Sequence, residues 1–96
     1  GCELRGQIAS SGGEAAAVDI ANVGSGDISV YWIDYQGGEG DYQNSPQPLA
    51  VIQPGDVRSF DALVGYAFTV ADVYGNCLGV AQVTQAANSF GYAGVQ

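Results

Sequence analysis

The residues best suited to molecular recognition lie in the stretch from Ile28 to Tyr42. It holds the only Trp of the chain, Trp32, together with Tyr31, Tyr35 and Tyr42. Aromatic side chains give large contact areas at low entropic cost, and they stack on proline rings and on sugar faces. The first chemistry to consider is therefore binding through aromatic contacts.

Carboxylates are the second group with chemical potential. Three of them surround a glycine-rich loop and two flank a later strand: Asp34, Glu39, Asp41, Asp56 and Asp61. Oxygen-rich loops hold Ca²⁺, but this spacing matches no EF-hand. A carboxylate pair for glycoside hydrolysis needs a deep cleft, which a chain of this size seldom forms. We expect neither a metal nor a cofactor.

Other catalytic groups are missing from the sequence. The chain has no His, which excludes a His general base, a His-ligated metal and a Cys nucleophile activated by His. The glycines at 37–40 have no Lys and no helix after them, so they do not form a phosphate-binding loop. The sequence predicts a protein that is not an enzyme.

The net charge of the chain argues against some classes of binding partner. Two Lys or Arg against ten Asp or Glu give a net charge of −8. Nucleic acids and anionic membrane surfaces require basic patches, which this chain cannot build. We expect a peptide, protein or carbohydrate partner, with no nucleic acid and no membrane.

Length and cysteine content predict one small, disulfide-linked domain. Residues 1–96 suffice for one domain with a thin stability margin. No apolar run approaches a membrane span and no signal-like segment begins the chain, so we interpret it as a mature or excised domain. We expect Cys2 and Cys77 to form a disulfide; the alternative is two buried free thiols of a cytosolic protein. A disulfide would contribute about 4 kcal/mol by loop closure and favours a secreted protein.

Alternating apolar residues predict short strands throughout the chain. The predicted strands are a short leading one within 1–14 and then 15–22, 28–35, 49–53, 57–60, 66–73 and 77–83. The tail, 84–96, is either a last edge strand or a loose end. We expect 15–22 and the strand from 28 to form a hairpin, and 49–52 to pair with 57–60 across the turn at Pro54 and Gly55. About seven short strands without an amphipathic helix predict a single-domain, all-β antiparallel sandwich.

The alternation in the aromatic strand assigns its two faces. Tyr31, Ile33 and Tyr35 fall on one side, and we interpret them as core residues. Trp32 falls on the opposite side, where we expect it to point outward toward Tyr42.

The order of several segments resembles the β domain of the von Hippel-Lindau tumour suppressor. The segments that carry the resemblance are 30–35, a Gly-Glu loop before Tyr42, a Pro-rich stretch, Pro54-Gly55, Arg58 and 65–72. Asn22 fits the same register, and the similarity covers about 18–80. It implies a prealbumin-like β-sandwich of seven strands.

That family's β domain recognises hydroxyproline in an extended peptide, through aromatic side chains, a Ser and a His. The resemblance places the aromatic positions on Trp32, Tyr42 and Phe68 and the His position on Tyr66. The Ser position falls near Ala62, with Ser59 three residues away. Because both hydroxyl-reading groups differ here, the resemblance implies weaker discrimination of a hydroxyl. The helical domain that recruits ubiquitin-ligase partners has no counterpart.

These observations predict a non-catalytic binding module. Its ligand would be an extended peptide, Pro-rich or hydroxyproline-rich, held by an aromatic-lined face. The predicted site residues are Trp32, Tyr42, Tyr66, Phe68 and Ser59. A carbohydrate-binding accessory module of a secreted protein and a purely structural or assembly domain are the alternatives. In the last case the same aromatic residues would simply pack the core or cover its open face.

Overall fold

Eight short strands and no helix make up the protein, whose computed structural model describes all 96 residues. The strands are β1 (Ala15–Asn22), β2 (Ile28–Ile33), β3 (Glu39–Gly40), β4 (Ala50–Ile52), β5 (Val57–Leu63), β6 (Ala67–Ala71), β7 (Cys77–Gln82) and β8 (Ala87–Tyr92). The prediction of an all-β fold with about seven strands is confirmed. The chain has no helix with the length and apolarity that a membrane span requires.

The strands form two sheets that pack as a sandwich. One sheet has three strands in the order β5-β1-β8, and the other has five, in the order β3-β2-β6-β7 with β4 also paired to β2. Every pairing is antiparallel except that of β1 with β8. The tail contributes β8, which pairs only with β1 and is an edge strand of the three-stranded sheet.

The core lies between the two sheets. Val18 and Ile20 of β1 pack toward Val30 of β2 and Val70 of β6, all with no exposed surface. These residues are β-branched, which suits the extended backbone of both sheets. Burial of apolar surface between the inner faces is the main force that holds the sandwich together.

Six of the strands expected from the sequence are present near their predicted bounds. The turn before β5 is also confirmed, since Gly55 has a φ of 85° and the Asp56 amide donates to the Gln53 carbonyl at 3.1 Å. A positive φ at this position is what a type II turn requires of glycine.

Two expected pairings and one expected strand are wrong. Residues 1–14 contain no strand. β1 pairs with β5 and β8 rather than with β2, and β4 pairs with β2 rather than with β5. Residues 23–27 instead cross between the sheets, and they are held there by the C-terminal segment: the amides of Ser25 and Gly26 both donate to the Gly94 carbonyl.

Residues 1–11, which we call the N-terminal strap, cover the outer face of the five-stranded sheet. A disulfide joins Cys2 to Cys77 at the start of β7, as predicted. Arg5 forms an ion pair with Glu39 of β3 at 3.1 Å, and Glu39 also accepts a hydrogen bond from Thr69 of β6 at 2.7 Å. The strap is thus joined directly to β7 and β3, and through Glu39 to β6.

The strap explains why the predicted faces of β2 are reversed. Trp32 is 5% exposed and belongs to the core between the sheets, directly opposite Phe68 in the β2–β6 register. Ile33 lies on the outer face and is nevertheless 2% exposed. Tyr35 is 54% exposed and is not a core residue. Both faces of β2 are covered, so alternation alone cannot tell inside from outside.

Candidate functional site

A cavity of about 510 Å³ opens between the two sheets at one end of the sandwich. We call it the aromatic cleft, because four rings line it: Trp32, Tyr35, Tyr42 and Tyr66. Polar groups complete the lining, namely Asp34, Gln36, Asn44 and Asp61, and Ala62 and Leu63 of β5 supply its remaining apolar surface. The size falls in the range of small-ligand and side-chain pockets.

Trp32 is the centre of the aromatic cleft. Its ring centroid lies 5.2 Å from Tyr35, 5.4 Å from Tyr42 and 5.2 Å from Tyr66. The Tyr35 and Tyr42 rings stand nearly perpendicular to the indole, at 87° and 75°. Edge-to-face contacts of this kind stabilise the arrangement beyond the area they bury. The indole Nε1 is buried and has no hydrogen-bond partner, which is a rare state for a buried donor.

Two tyrosine hydroxyls meet at the rim of the cleft. The Oη atoms of Tyr35 and Tyr66 are 2.9 Å apart and share one hydrogen bond. This bond, together with partial burial and the proximity of the Tyr35 hydroxyl, raises the pKa of Tyr66 to about 12. The Tyr66 hydroxyl therefore stays protonated at neutral pH.

Tyr42 spans the cleft from one sheet to the other. It follows β3, and its hydroxyl donates to the Asp61 carbonyl of β5 at 2.7 Å. Burial raises the pKa of Tyr42, and the nearby Tyr66 and Asp61 add to the shift. Tyr42 is still 39% exposed, so its ring forms a wall that a ligand can reach.

The loop that carries Tyr42 is fixed by its own polar groups. The Asp41 carboxylate accepts hydrogen bonds from the amides of Gln43 and Ser45 at 2.9 and 3.0 Å. These bonds lower the pKa of Asp41, because they favour its charged form. Gly40 is required here, since a Cβ at this position would lie 2.1 Å from the Ser45 carbonyl oxygen.

Ser10 of the N-terminal strap positions the other two tyrosines. It is 5% exposed, its amide donates to the Asp34 carbonyl at 3.0 Å, and its hydroxyl accepts from the Ala67 amide at 2.9 Å. Asp34 precedes Tyr35 and Ala67 follows Tyr66, so Ser10, through its backbone amide and its hydroxyl, ties together the two segments that carry the hydroxyl pair. Nothing in the sequence near Ser10 signals this role.

The structure brings most of the predicted site residues together. Trp32, Tyr42 and Tyr66 line the cleft, and Phe68 lies beneath it, fully buried, with its ring 6.4 Å from Tyr42 and 6.5 Å from Tyr66. Ala62, which stands at the position of the family's Ser, also lines the cleft.

Ser59 does not join the cleft. Its hydroxyl donates to the Asp19 carboxylate at 2.6 Å on the exposed face of the three-stranded sheet. Tyr35 does join it, although its place in the alternation suggested a core residue.

The carboxylates near the glycine loop serve separate structural tasks. Asp34 Oδ1 accepts from the amides of Gln36 and Gly38 at 2.8 and 2.9 Å. Glu39 binds the strap: burial opposes its ionisation, but the hydrogen bonds from Arg5 and Thr69 prevail and lower the pKa of Glu39. No three metal-ligating side chains converge anywhere in the chain.

The cleft combines ring faces, hydroxyls and carboxylates in one open site. This arrangement can bind an extended segment by ring stacking and by a few polar contacts. No protein-family model matches the chain, and no curated protein matches it either.

Proposed function

We propose that this protein is a non-catalytic binding module whose aromatic cleft takes an extended peptide rich in proline or hydroxyproline. The observation that carries the proposal is the cleft itself, about 510 Å³ in volume and walled by four aromatic rings. Proline rings pack well on such walls, and a Pro-rich segment is already extended, so little conformational entropy is lost on binding.

The resemblance to the von Hippel-Lindau β domain supports the same proposal. The positions that it assigns fall in two distant parts of the sequence, Trp32 with Tyr42 and Tyr66 with Phe68, yet each ring lies within about 6.5 Å of the next in a chain of contacts. Tyr66 replaces the His of that family and offers a hydroxyl of its own. Ala62 offers none, so we expect only a modest preference for hydroxyproline over proline.

Tryptophan fluorescence tests the proposal directly, because Trp32 is the only Trp. We expect its emission to change on titration with a polyproline peptide and with the same peptide containing hydroxyproline. Tyr42→Ala should weaken binding about tenfold, since it removes an exposed wall of the cleft. Tyr74→Ala, at another tyrosine that is 67% exposed but lies in the β6–β7 turn, is the matched control and should bind like the parent.

A carbohydrate-binding module is the second candidate, and the polar lining favours it. Asp34, Asn44 and Asp61 sit beside the rings, and sugars are bound by stacking on a ring with hydrogen bonds at the edge of the sugar. Titration with soluble polysaccharides distinguishes the two ligands. If no peptide and no polysaccharide changes the Trp32 emission, a structural or assembly role would remain.

We further propose that the protein works in an oxidising, extracellular setting. The Cys2–Cys77 disulfide supports this, because such bonds persist mainly in exported proteins. Mass measurement after alkylation without reductant should find no label on the protein isolated from its native source. Two labels would overturn the extracellular assignment.

A further inference from the structure

The aromatic cleft is acidic and contains no positive charge. Asp34 and Asp61 line it, while the two Arg of the chain lie elsewhere, Arg5 paired with Glu39 and Arg58 near the Phe60 ring at 5.9 Å. The Asp61 carboxylate accepts no hydrogen bond, and Asp34 uses only Oδ1. Neither carboxylate at the cleft therefore has a positively charged partner in the chain.

The ring geometry of the cleft suits a cation. Trp and Tyr have the most electron-rich faces among the aromatic side chains, and cations lie favourably over such faces. Because the Tyr35 and Tyr42 rings stand at 87° and 75° to the indole, the cleft presents ring faces in several directions. Tyr35 is 54% exposed and Tyr42 is 39% exposed, so a bound group can reach them.

The charge of the whole chain acts in the same direction. A net charge of −8 creates a negative potential that concentrates cationic ligands and repels anionic ones. Clefts with low-dielectric walls focus such potentials, and the walls here are aromatic rings.

We propose that the aromatic cleft selects peptides in which an arginine or lysine adjoins the proline-type residue. The cation lies against the tyrosine rings with Asp34 and Asp61 as its counter-charges. This inference rests on the proposed peptide-binding function and adds a ligand class to it. The inference concerns only the charge of the bound peptide.

The test compares three matched peptides: a proline peptide with one arginine, the same peptide with citrulline in place of arginine, and the same peptide with glutamate there. Citrulline keeps the shape of arginine without its charge. At low salt we expect the arginine peptide to bind about tenfold more tightly than the citrulline peptide, and the glutamate peptide to bind most weakly. Added salt should narrow the difference, since exposed charges are screened beyond about 10 Å at 0.1 M ionic strength.

Substitutions in the protein locate the effect. Asp61→Asn and Asp34→Asn should each reduce the preference for arginine over citrulline about threefold. Asp34→Asn keeps the Oδ1 acceptor for the loop amides, so the cleft keeps its shape. Asp56→Asn is the control, because it removes the same charge at the opposite end of β5, and it should leave the preference unchanged.

The outcomes separate this inference from the function on which it rests. Equal binding of the arginine and citrulline peptides would overturn the selectivity for a cation and leave peptide binding standing. No binding of any of the three peptides would overturn both. An equal loss of preference in the Asp56→Asn and Asp61→Asn variants would attribute the effect to net charge and would also overturn the assignment to the cleft.

Discussion

The two ends of the sandwich treat buried polar groups in opposite ways. At the closed end, Asn22 is 1% exposed, and its side chain donates to the carbonyls of Gly26 and Ile52 at 2.8 and 2.9 Å and accepts from the amides of Gly24 and Gly94 at 3.0 and 3.3 Å. At the open end, Trp32 Nε1 is buried without a partner.

The difference separates side chains that are fully used in stabilising the fold from side chains that would be available to the proposed ligand. Asn22 links the 23–27 loop, β4 and the C-terminal segment, and all its side-chain hydrogen-bonding groups are used within the chain. The aromatic cleft keeps exposed rings, paired hydroxyls and free carboxylates, which add little to folding but suit a ligand. Substitutions at the two ends should therefore affect different measurements.

The largest effect is expected at the closed end. Asn22→Ala leaves four backbone groups without their partner, at about 1 kcal/mol each, so the free energy of unfolding should fall by about 4 kcal/mol. Chemical denaturation measures this loss. Asn76→Ala, at an exposed asparagine whose side chain makes no hydrogen bond in the chain, should change stability by less than about 0.5 kcal/mol.

Ligand binding by the Asn22→Ala variant tests the separation of the two ends. Under conditions in which it remains folded, we expect its affinity for peptides to equal that of the parent. A loss of affinity in the folded variant would contradict the division between a stabilising end and a recognising end.

The next effect concerns the N-terminal strap that supports the open end from outside. Glu39→Gln removes the ion pair with Arg5 and should cost about 1.5 kcal/mol, because hydrogen bonds to charged groups are worth more than neutral ones. Glutamine keeps the shape of the side chain, so the change isolates the charge. Thermal or chemical unfolding at neutral pH measures the loss.

The same variant should change the response to acid. The pKa of Glu39 is lowered from its ordinary value of 4.5, so its contribution to stability is present above pH 4.5 and is lost as the pH falls through the lowered pKa. Glu39→Gln should lack this step in a plot of stability against pH. Glu14→Gln, at an exposed glutamate without a side-chain partner, is the control. Identical acid profiles for all three proteins would contradict the role assigned to the ion pair.

Local pattern predicted the strands because alternation is a property of the strand itself. Val18 and Ile20 face the core as the alternation of β1 indicates, and the turn at Gly55 follows from its local chemistry. Sheet pairing was not predictable in this way. β1 pairs with β5 and with β8, which lie far along the chain, and no short-range signal specifies such partners.

The aromatic cleft shows the same limit at the level of single residues. Tyr35 continues the alternation of β2, but Asp34 binds the amides of Gln36 and Gly38 and ends the strand before it, so Tyr35 turns to the cleft. Trp32 faces inward because the strap covers the opposite face of β2, and Ser10 and Arg5 of that strap are more than twenty residues from Trp32 in sequence. The composition of the site was predictable, whereas its orientation depended on distant segments.

A smaller effect on stability is expected at the centre of the cleft. Trp32→Phe removes part of a buried ring but also removes a donor without a partner, so the two changes oppose one another and the net loss should be about 1 kcal/mol. Peptide affinity, measured by calorimetry because the reporter is lost, should fall about tenfold. Phe60→Leu in the core is the control: it should cost stability without reducing affinity. Unchanged affinity in Trp32→Phe would remove this residue from the site.

The smallest effect is expected at the hydroxyl pair. Tyr66→Phe breaks a hydrogen bond at the solvent-exposed rim and should cost about 0.5 kcal/mol at neutral pH. The pKa of Tyr66 is raised from 10.0 to about 12, so its favourable contribution is complete below pH 10 and is lost as the pH rises toward 12. Tyr66→Phe should therefore lose less stability than the parent across that interval, and Tyr74→Phe should follow the parent. A parallel loss in the parent and in Tyr66→Phe would show that the hydroxyl pair contributes no stability that depends on its protonation.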